Sequence, residues 1–222
     1  MMRPENILRV ARSRGLDGIA ITDHGTIVGA LETASYASED FPVIVGAEFA
    51  LKEGEIIGLF LKEEIRSKTI LCAIDEIHAQ GGIAVLPHPF KRKDEWDPDI
   101  IERIDAIEVF NARGEPKQFS SKNSLAESLA KKYEKSFTGG SDAHFYFEIG
   151  RGFTQLNDDL SLNEIKLAIV EGHTTVGGTL SSPFVEMGSQ YVKAYKKISL
   201  RIFLKTFIKS VFLLFQNSLK IK

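Results

Sequence analysis

The chain has 222 residues, 43% of them hydrophobic and 26% charged, an ordinary composition for a globular protein and enough for one domain with a sizeable core. Its single cysteine, Cys72, excludes an internal disulfide and a thiolate cluster and reads as a small core residue. The reducing compartment this favours, and an N-terminus without an apolar signal segment, make the cytoplasm the expected location. The formal net charge of −2 conceals an asymmetry: no acidic residue follows Glu186, whereas eight basic ones do. The acidic body argues against tight nonspecific binding to long nucleic acid.

Strand and helix patterns alternate from the start. Pro4 to Arg14 reads as a helix, with an early proline, apolar Ile7, Leu8, Val10 and Ala11, and Gly15 as its stop. A strand runs to Ile21, a helix occupies the region of Ile27–Ala37, and a second strand ends at Glu48. Leu51–Leu61 holds the turn Lys52-Glu53-Gly54-Glu55 and then an apolar run, the pattern of a hairpin partner. Ser67–Ala79 is a helix with Ile70, Leu71, Ile74 and Ile77 on one face, closed by Gly81-Gly82 ahead of a strand into His88. A charged loop, Lys91–Pro98, leads to a short helix at Asp99–Ile104 and a strand at Ala106–Phe110. A helix at Ser121–Tyr133, a strand into Ser141-Asp142 and a strand at Gly152–Leu156 follow. Asp159 or Ser161 caps a last helix through Val170, which Gly172 ends. Such alternation predicts a parallel α/β sheet, closed as a barrel.

Five of the expected strands end in metal-binding side chains: Thr22-Asp23-His24, Gly46-Ala47-Glu48, Leu86-Pro87-His88, Val109-Phe110-Asn111 and Ser141-Asp142-Ala143-His144. The strand C-termini of a parallel barrel open on one face, so these distant residues converge there. Imidazole and carboxylate together are ligands for zinc, manganese or iron, which points to a metal hydrolase. Each residue also has a plainer reading: loop hydrogen bonding for His24 and His144, a surface carboxylate for Glu48, a rigid turn for His88, a helix N-cap for Asp142. His78 and His173 are read as structural.

In this order and spacing the five motifs resemble the PHP (polymerase and histidinol phosphatase) superfamily, over roughly Pro4 to Gly178. The stretches Gly150-Arg151-Gly152-Phe153-Thr154 and Ala168-Ile169-Val170-Glu171-Gly172 are similar to that family's usual close. The resemblance implies a distorted seven-stranded TIM-like (β/α) barrel that binds two or three divalent metals (Zn, Mn or Fe) and hydrolyses phosphoesters. It implies His24, Glu48, His88, Asp142 and His144 as metal ligands, with Glu48 bridging two metals and Glu48, Asp142 and His144 in the catalytic roles. Asn111 falls at the rim of the site. Two departures stand out. Nothing before Pro4 supplies the family's opening His-x-His strand, so the resemblance implies a barrel lacking its first strand, through gene-start choice, a fragment or loss. No histidine occurs near Gly54–Ile57, where the family has one.

The chemistry suits these residue types. Cations offset the charge of a phosphoester and bring bound water towards a pKa of about 7. Asp23 is placed to accept a hydrogen bond from a ligand ring, and Arg113, Arg92, Arg151 and Lys91 lie in loops on the expected metal face, where a guanidinium holds phosphate. The plainer reading of Lys91-Arg92-Lys93 is a solvated loop. The expected substrates are a histidinol-phosphate-like monoester, a nucleotide bisphosphate or a short oligonucleotide; the alternative is a degenerate, non-catalytic module with a binding or scaffolding role and fewer metals. Residues 1–180 form the expected catalytic domain and 181–222 a linker and tail. Within the tail, 198–215 has Arg201, Lys205 and Lys209 every four positions amid Phe and Leu, a basic amphipathic helix for an anionic membrane surface or a partner helix.

Overall fold

The computed structural model describes residues 2–113, 122–156, 160–182, 184, 185 and 188. In chain order the elements are α1 (Pro4–Ser13), β1 (Ile19–His24), α2 (Val28–Ala34), β2 (Val43–Ala50), β3 (Glu55–Leu59), α3 (Ile70–Ala79) and β4 (Ile83–Leu86). They continue with α4 (Pro98–Arg103), β5 (Ala106–Asn111), α5 (Lys122–Lys132), β6 (Ser136–Gly140), β7 (Gly152–Gln155), α6 (Leu162–Val170) and β8 (Thr175–Gly178), with a 3-10 turn at Tyr146–Glu148. The chain divides into two units, Met1–Leu180 and Ser181–Lys222. The expected helix at 198–215 lies outside the described residues.

The barrel expectation needs correcting in two ways. Strands β1 to β6 form one curled sheet in that order, and β7 and β8 form a separate antiparallel ribbon, so among the described residues the six-stranded sheet is not hydrogen-bonded into a closed ring. The sheet is also mixed: β1 and β2 are parallel, as are β4, β5 and β6, but β3 runs antiparallel to both its neighbours. The hairpin expected after Glu48 is that antiparallel strand, Ala50 lying opposite Glu55. Strand β8 was not among the expected elements.

Strand alternation sorts the apolar residues into two layers. Ala47 and Phe49, Ile56, Ala84 and Leu86, and Ile107 and Val109 point to the convex face, where Ile70, Ala73, Ile74 and Ile77 of α3, Ile100 and Ile101 of α4, and Ala126 and Ala130 of α5 cover them. Full burial of each isoleucine is worth roughly 1.5–3 kcal/mol. On the concave face Leu59, Ile83, Val85 and Ala106 meet Ile165 and Ile169 of α6, which fills the end at which β4 and β5 begin. Helix α1 buries Ile7, Leu8 and Ala11 against Ile21, Ala30 and Val43. Gly46 is required where β2 crosses β3, because a Cβ there would come within 2.7 Å of the Gly58 carbonyl oxygen. Cys72, expected in the core, is exposed: it lies about 200° around α3 from Ile70, on the side away from Ile70, Ile74 and Ile77.

Candidate metal centre

The topology puts chemistry at one rim. The C-terminal ends of β1, β2, β4, β5 and β6 lie together, and because β3 is reversed its first residue, Glu55, joins them. The concave side of the sheet encloses a cavity of about 1280 Å³, and His24, Glu48, His88, Asp142 and His144 all line it.

Glu48 is at the centre. Its Oε2 lies 2.9 Å from His24 Nδ1 and its Oε1 lies 3.1 Å from His88 Nε2, so each oxygen faces a histidine from a different strand end. The Glu48 and His88 side chains are 9% and 11% exposed, whereas His24 is 58% exposed. Burial opposes the Glu48 charge, but hydrogen bonds from His24 and His88 outweigh it and hold the carboxyl well below its usual range. Burial likewise depresses His88, and the bond to Glu48 with the charge of Glu108 raises it above its ordinary value.

Asp142 and His144 follow β6. His144 Nδ1 lies 2.9 Å from the Asp142 carbonyl oxygen and 3.5 Å from its Oδ1, and the His144 ring centroid is 5.9 Å from that of His24. Lys91 Nζ donates to Asp142 Oδ2 at 2.7 Å. Burial raises the Asp142 carboxyl, but Lys91, then His88 and His144, bring it below its usual value. The backbones of His88 (φ 27°) and Asp142 (φ 48°) sit at positive φ, uncommon for residues other than glycine. Strain of that kind concentrates at functional sites.

Sequence reasoning missed three participants. Glu55 Oε2 lies 3.9 Å from His88 Nδ1, and donor atoms of Glu48, Glu55 and His88 all fall within 4.8 Å of one another. Glu55 stands in the stretch where the resemblance called for a histidine; the signal was the turn that reverses β3. Glu108 is the second. It is buried beneath the rim, accepts the backbone N–H of His88 at 2.9 Å and the Asn111 amide at 3.0 Å, and burial pushes its carboxyl up. A bulge between Glu108 and Phe110 turns both Glu108 and Asn111 towards the cavity. Glu148 is the third. It is fully buried and accepts the backbone N–H groups of His144 and Phe145 at 2.8 and 3.0 Å.

The remaining candidates divide. Arg113, expected on phosphate, instead forms a bidentate pair with Glu148 (2.7 and 2.6 Å) and is 5% exposed, so it fixes the loop bearing His144. Arg151 also departs from expectation: its Nη1 donates to the Leu180 carbonyl at 3.4 Å, and it does not line the cavity. Arg92 pairs with Glu55 at 2.8 Å beside the site. The Asp23 carboxylate is turned onto Gly29 of α2, against which a Cβ would clash. His78 pairs with Asp105 at 2.8 Å, and His173 stands exposed beside Glu171.

One imidazole and two carboxylates around one point, those of His88, Glu48 and Glu55, with His24 2.9 Å from Glu48 and the central carboxyl kept ionised, form a donor set of the kind divalent zinc, manganese or iron takes. The Thr138 hydroxyl, buried in the same cavity wall with no hydrogen-bond partner among the described residues, is a polar atom that a ligand would satisfy.

Comparison with known proteins shows what the chain is similar to. The profile of a family described as PHP-associated matches residues 120–174. An uncharacterised protein of Methanocaldococcus jannaschii, MJ1587, is 43% identical over 113 residues, which cover 49% of this chain and 66% of that protein. A second from the same organism, MJ0417, is 34% identical over 186 residues, 70% of this chain and 76% of that protein. Among solved structures, a two-domain protein from Bacteroides vulgatus containing a predicted PHP-like metal-dependent phosphoesterase superposes with a TM-score of 0.67 at 19% identity, over 81% of this chain and 61% of its own, a likeness of fold. The chain thus spans just under two thirds of MJ1587 and of the Bacteroides protein.

Proposed function

The chain belongs to the PHP superfamily, and on that premise we propose that it is a metal-dependent phosphoesterase in which Glu48, Asp142 and His144 carry catalysis. The observation behind this reading is Glu48, a buried ionised carboxylate presenting one oxygen to His24 and the other to His88. Bound divalent cations supply charge neutralisation and an acidified water. The chain's own residues do the rest. Glu48 would hold the cations as the carboxylate shared by His24 and His88, those two histidines would orient them, and Asp142 with His144 would complete the donor set. The substrate is a small phosphoester of the histidinol-phosphate, nucleotide bisphosphate or short oligonucleotide kind.

Elemental analysis combined with hydrolysis of an aryl phosphate in Mn²⁺ tests the reading. The expected result is at least one bound metal with turnover, and a loss of about 100-fold or more in Glu48→Ala and His144→Ala with unchanged circular dichroism. Unfolding of those variants contradicts the assigned roles. One observation favours the second reading, a non-catalytic module: Lys91 and Arg92 already pair with Asp142 and Glu55. Absence of metal and turnover in the wild type selects it. We also propose that 198–215 docks on an anionic surface or a partner helix, on its sequence pattern alone. Equal pelleting with anionic vesicles, with and without the segment, removes the membrane form of that idea.

A further inference from the structure

Two consecutive cations emerge from the turn that follows His88, which is closed by the Lys91 N–H donating to the His88 carbonyl at 2.9 Å. They reach different carboxylates of the same cluster. Lys91 Nζ lies 2.7 Å from Asp142 Oδ2, and Arg92 Nη1 lies 2.8 Å from Glu55 Oε1. In each carboxylate the other oxygen faces a histidine: Asp142 Oδ1 is 3.5 Å from His144 Nδ1 and Glu55 Oε2 is 3.9 Å from His88 Nδ1. The two carboxylates are nearly buried, while Lys91 is part-buried and Arg92 largely exposed, so the cations come from the mouth and the anions belong to the wall.

We propose that Lys91 and Arg92 are exchangeable counter-ions: a divalent cation entering the cluster takes the Asp142 and Glu55 oxygens from them, and the released ammonium and guanidinium then form the binding site for the substrate's phosphate. The inference rests on the metal-site reading above and adds to it an order of events. A carboxylate oxygen shared with a divalent ion has less charge left for a lysine, and a phosphate at the metal offers the lysine a stronger partner. Metal and phosphate binding are then positively coupled, and by linkage each tightens the other by the same factor. Both cations sit three and four residues from His88 on one short turn, so they move to the phosphate without displacing the strands.

Two affinities with opposite signs test it. Mn²⁺ and inorganic phosphate are titrated calorimetrically into wild type, Lys91→Met, Arg92→Met and Lys91→Arg, with circular dichroism as the folding control. Wild type is expected to bind phosphate at least about fivefold more tightly with Mn²⁺ present than with chelator. In Lys91→Met the Mn²⁺ dissociation constant falls about fivefold, because a competing cation is gone, while the phosphate constant of the loaded protein rises about fivefold. Arg92→Met shifts both in the same senses, and Lys91→Arg restores phosphate binding. If wild type takes up Mn²⁺ but Lys91→Met binds it no more tightly, or binds phosphate unchanged, the counter-ion inference is overturned and the metal centre stands. If wild type takes up no Mn²⁺, the metal-site reading falls and this inference with it.

Discussion

Glu108 sits beneath the rim, where it accepts the His88 backbone N–H and the Asn111 amide. Burial raises its carboxyl, the His88 charge and the Asn111 hydrogen bond pull it down, Asp142 pushes it up again, and the net displacement is upward from 4.5. An acid whose folded pKa is raised binds its proton more tightly in the folded state. Its stability contribution is therefore most favourable below pH 4.5 and declines as pH rises through the folded value, leaving a constant penalty above it. Glu108→Gln removes that penalty while keeping an acceptor for the His88 N–H. In chelator, thermal melts should show the variant more stable than wild type near pH 8, the gap closing as pH falls towards 4.5; a gap independent of pH would refute the account. The Arg113–Glu148 pair behaves oppositely. Both partners are buried and the carboxylate holds two backbone N–H groups, so Arg113→Met strands a charge and should cost about 3–5 kcal/mol in urea unfolding. That His24, Glu48, His88, Asp142 and His144 line one cavity was legible because each stands at or just after a strand end. Arg113 was misread because a sequence displays a charge and hides its partner, here 35 residues away.

At the level of elements, direction and capping decide what reaches the rim. Strand alternation alone sends Glu108 and Asn111 to opposite faces, and only the bulge in β5 brings both to the cavity; a bulge leaves no mark in composition. Glu55 escaped notice because the search followed strand ends, whereas β3 is reversed and contributes its start. The short β8, Thr-Val-Gly-Gly, has too little side chain to signal a strand. Helix α6, in contrast, ends at Val170 as the sequence implied, and of the two expected caps, Asp159 and Ser161, it is Ser161 that precedes Leu162. Its apolar spacing is regular and its first turn is a capping box: Glu164 accepts from the Ser161 backbone N–H at 2.8 Å and from its hydroxyl at 2.6 Å. Ser161→Ala should cost about 1 kcal/mol in chemical denaturation. Since Ile165 and Ile169 close the end of the concave face away from Glu48, Mn²⁺ affinity should be unchanged. A shift in metal affinity as large as the loss of stability would mean that α6 also shapes the rim.

At the scale of the molecule, every candidate ligand and all three apolar clusters of the described residues fall between Met2 and Val176. The division after Leu180 therefore leaves the sheet, its helices and the cavity in one unit. The last contacts of that unit are internal: Thr179 N–H donates to the Arg151 carbonyl at 2.7 Å, and Arg151 Nη1 donates to the Leu180 carbonyl at 3.4 Å. A chain ending at Leu180 keeps both bonds. It should melt cooperatively within about 2–4 °C of the full chain, since a change of about 1 kcal/mol shifts a domain of this size by that much, and should bind Mn²⁺ with the same affinity. Residues 187–222 carry all eight basic residues that follow Glu186 and no acidic one. Removing them makes the protein more acidic overall, and its net field less attractive to an anion. Phosphate association should consequently slow in the shortened chain at low ionic strength and match the full chain at 1 M salt, where charges are screened within about 3 Å. An unchanged rate at low salt would show that the tail's charge does not reach the rim. A loss of folding on truncation would show that Leu180 is not a boundary of independent stability.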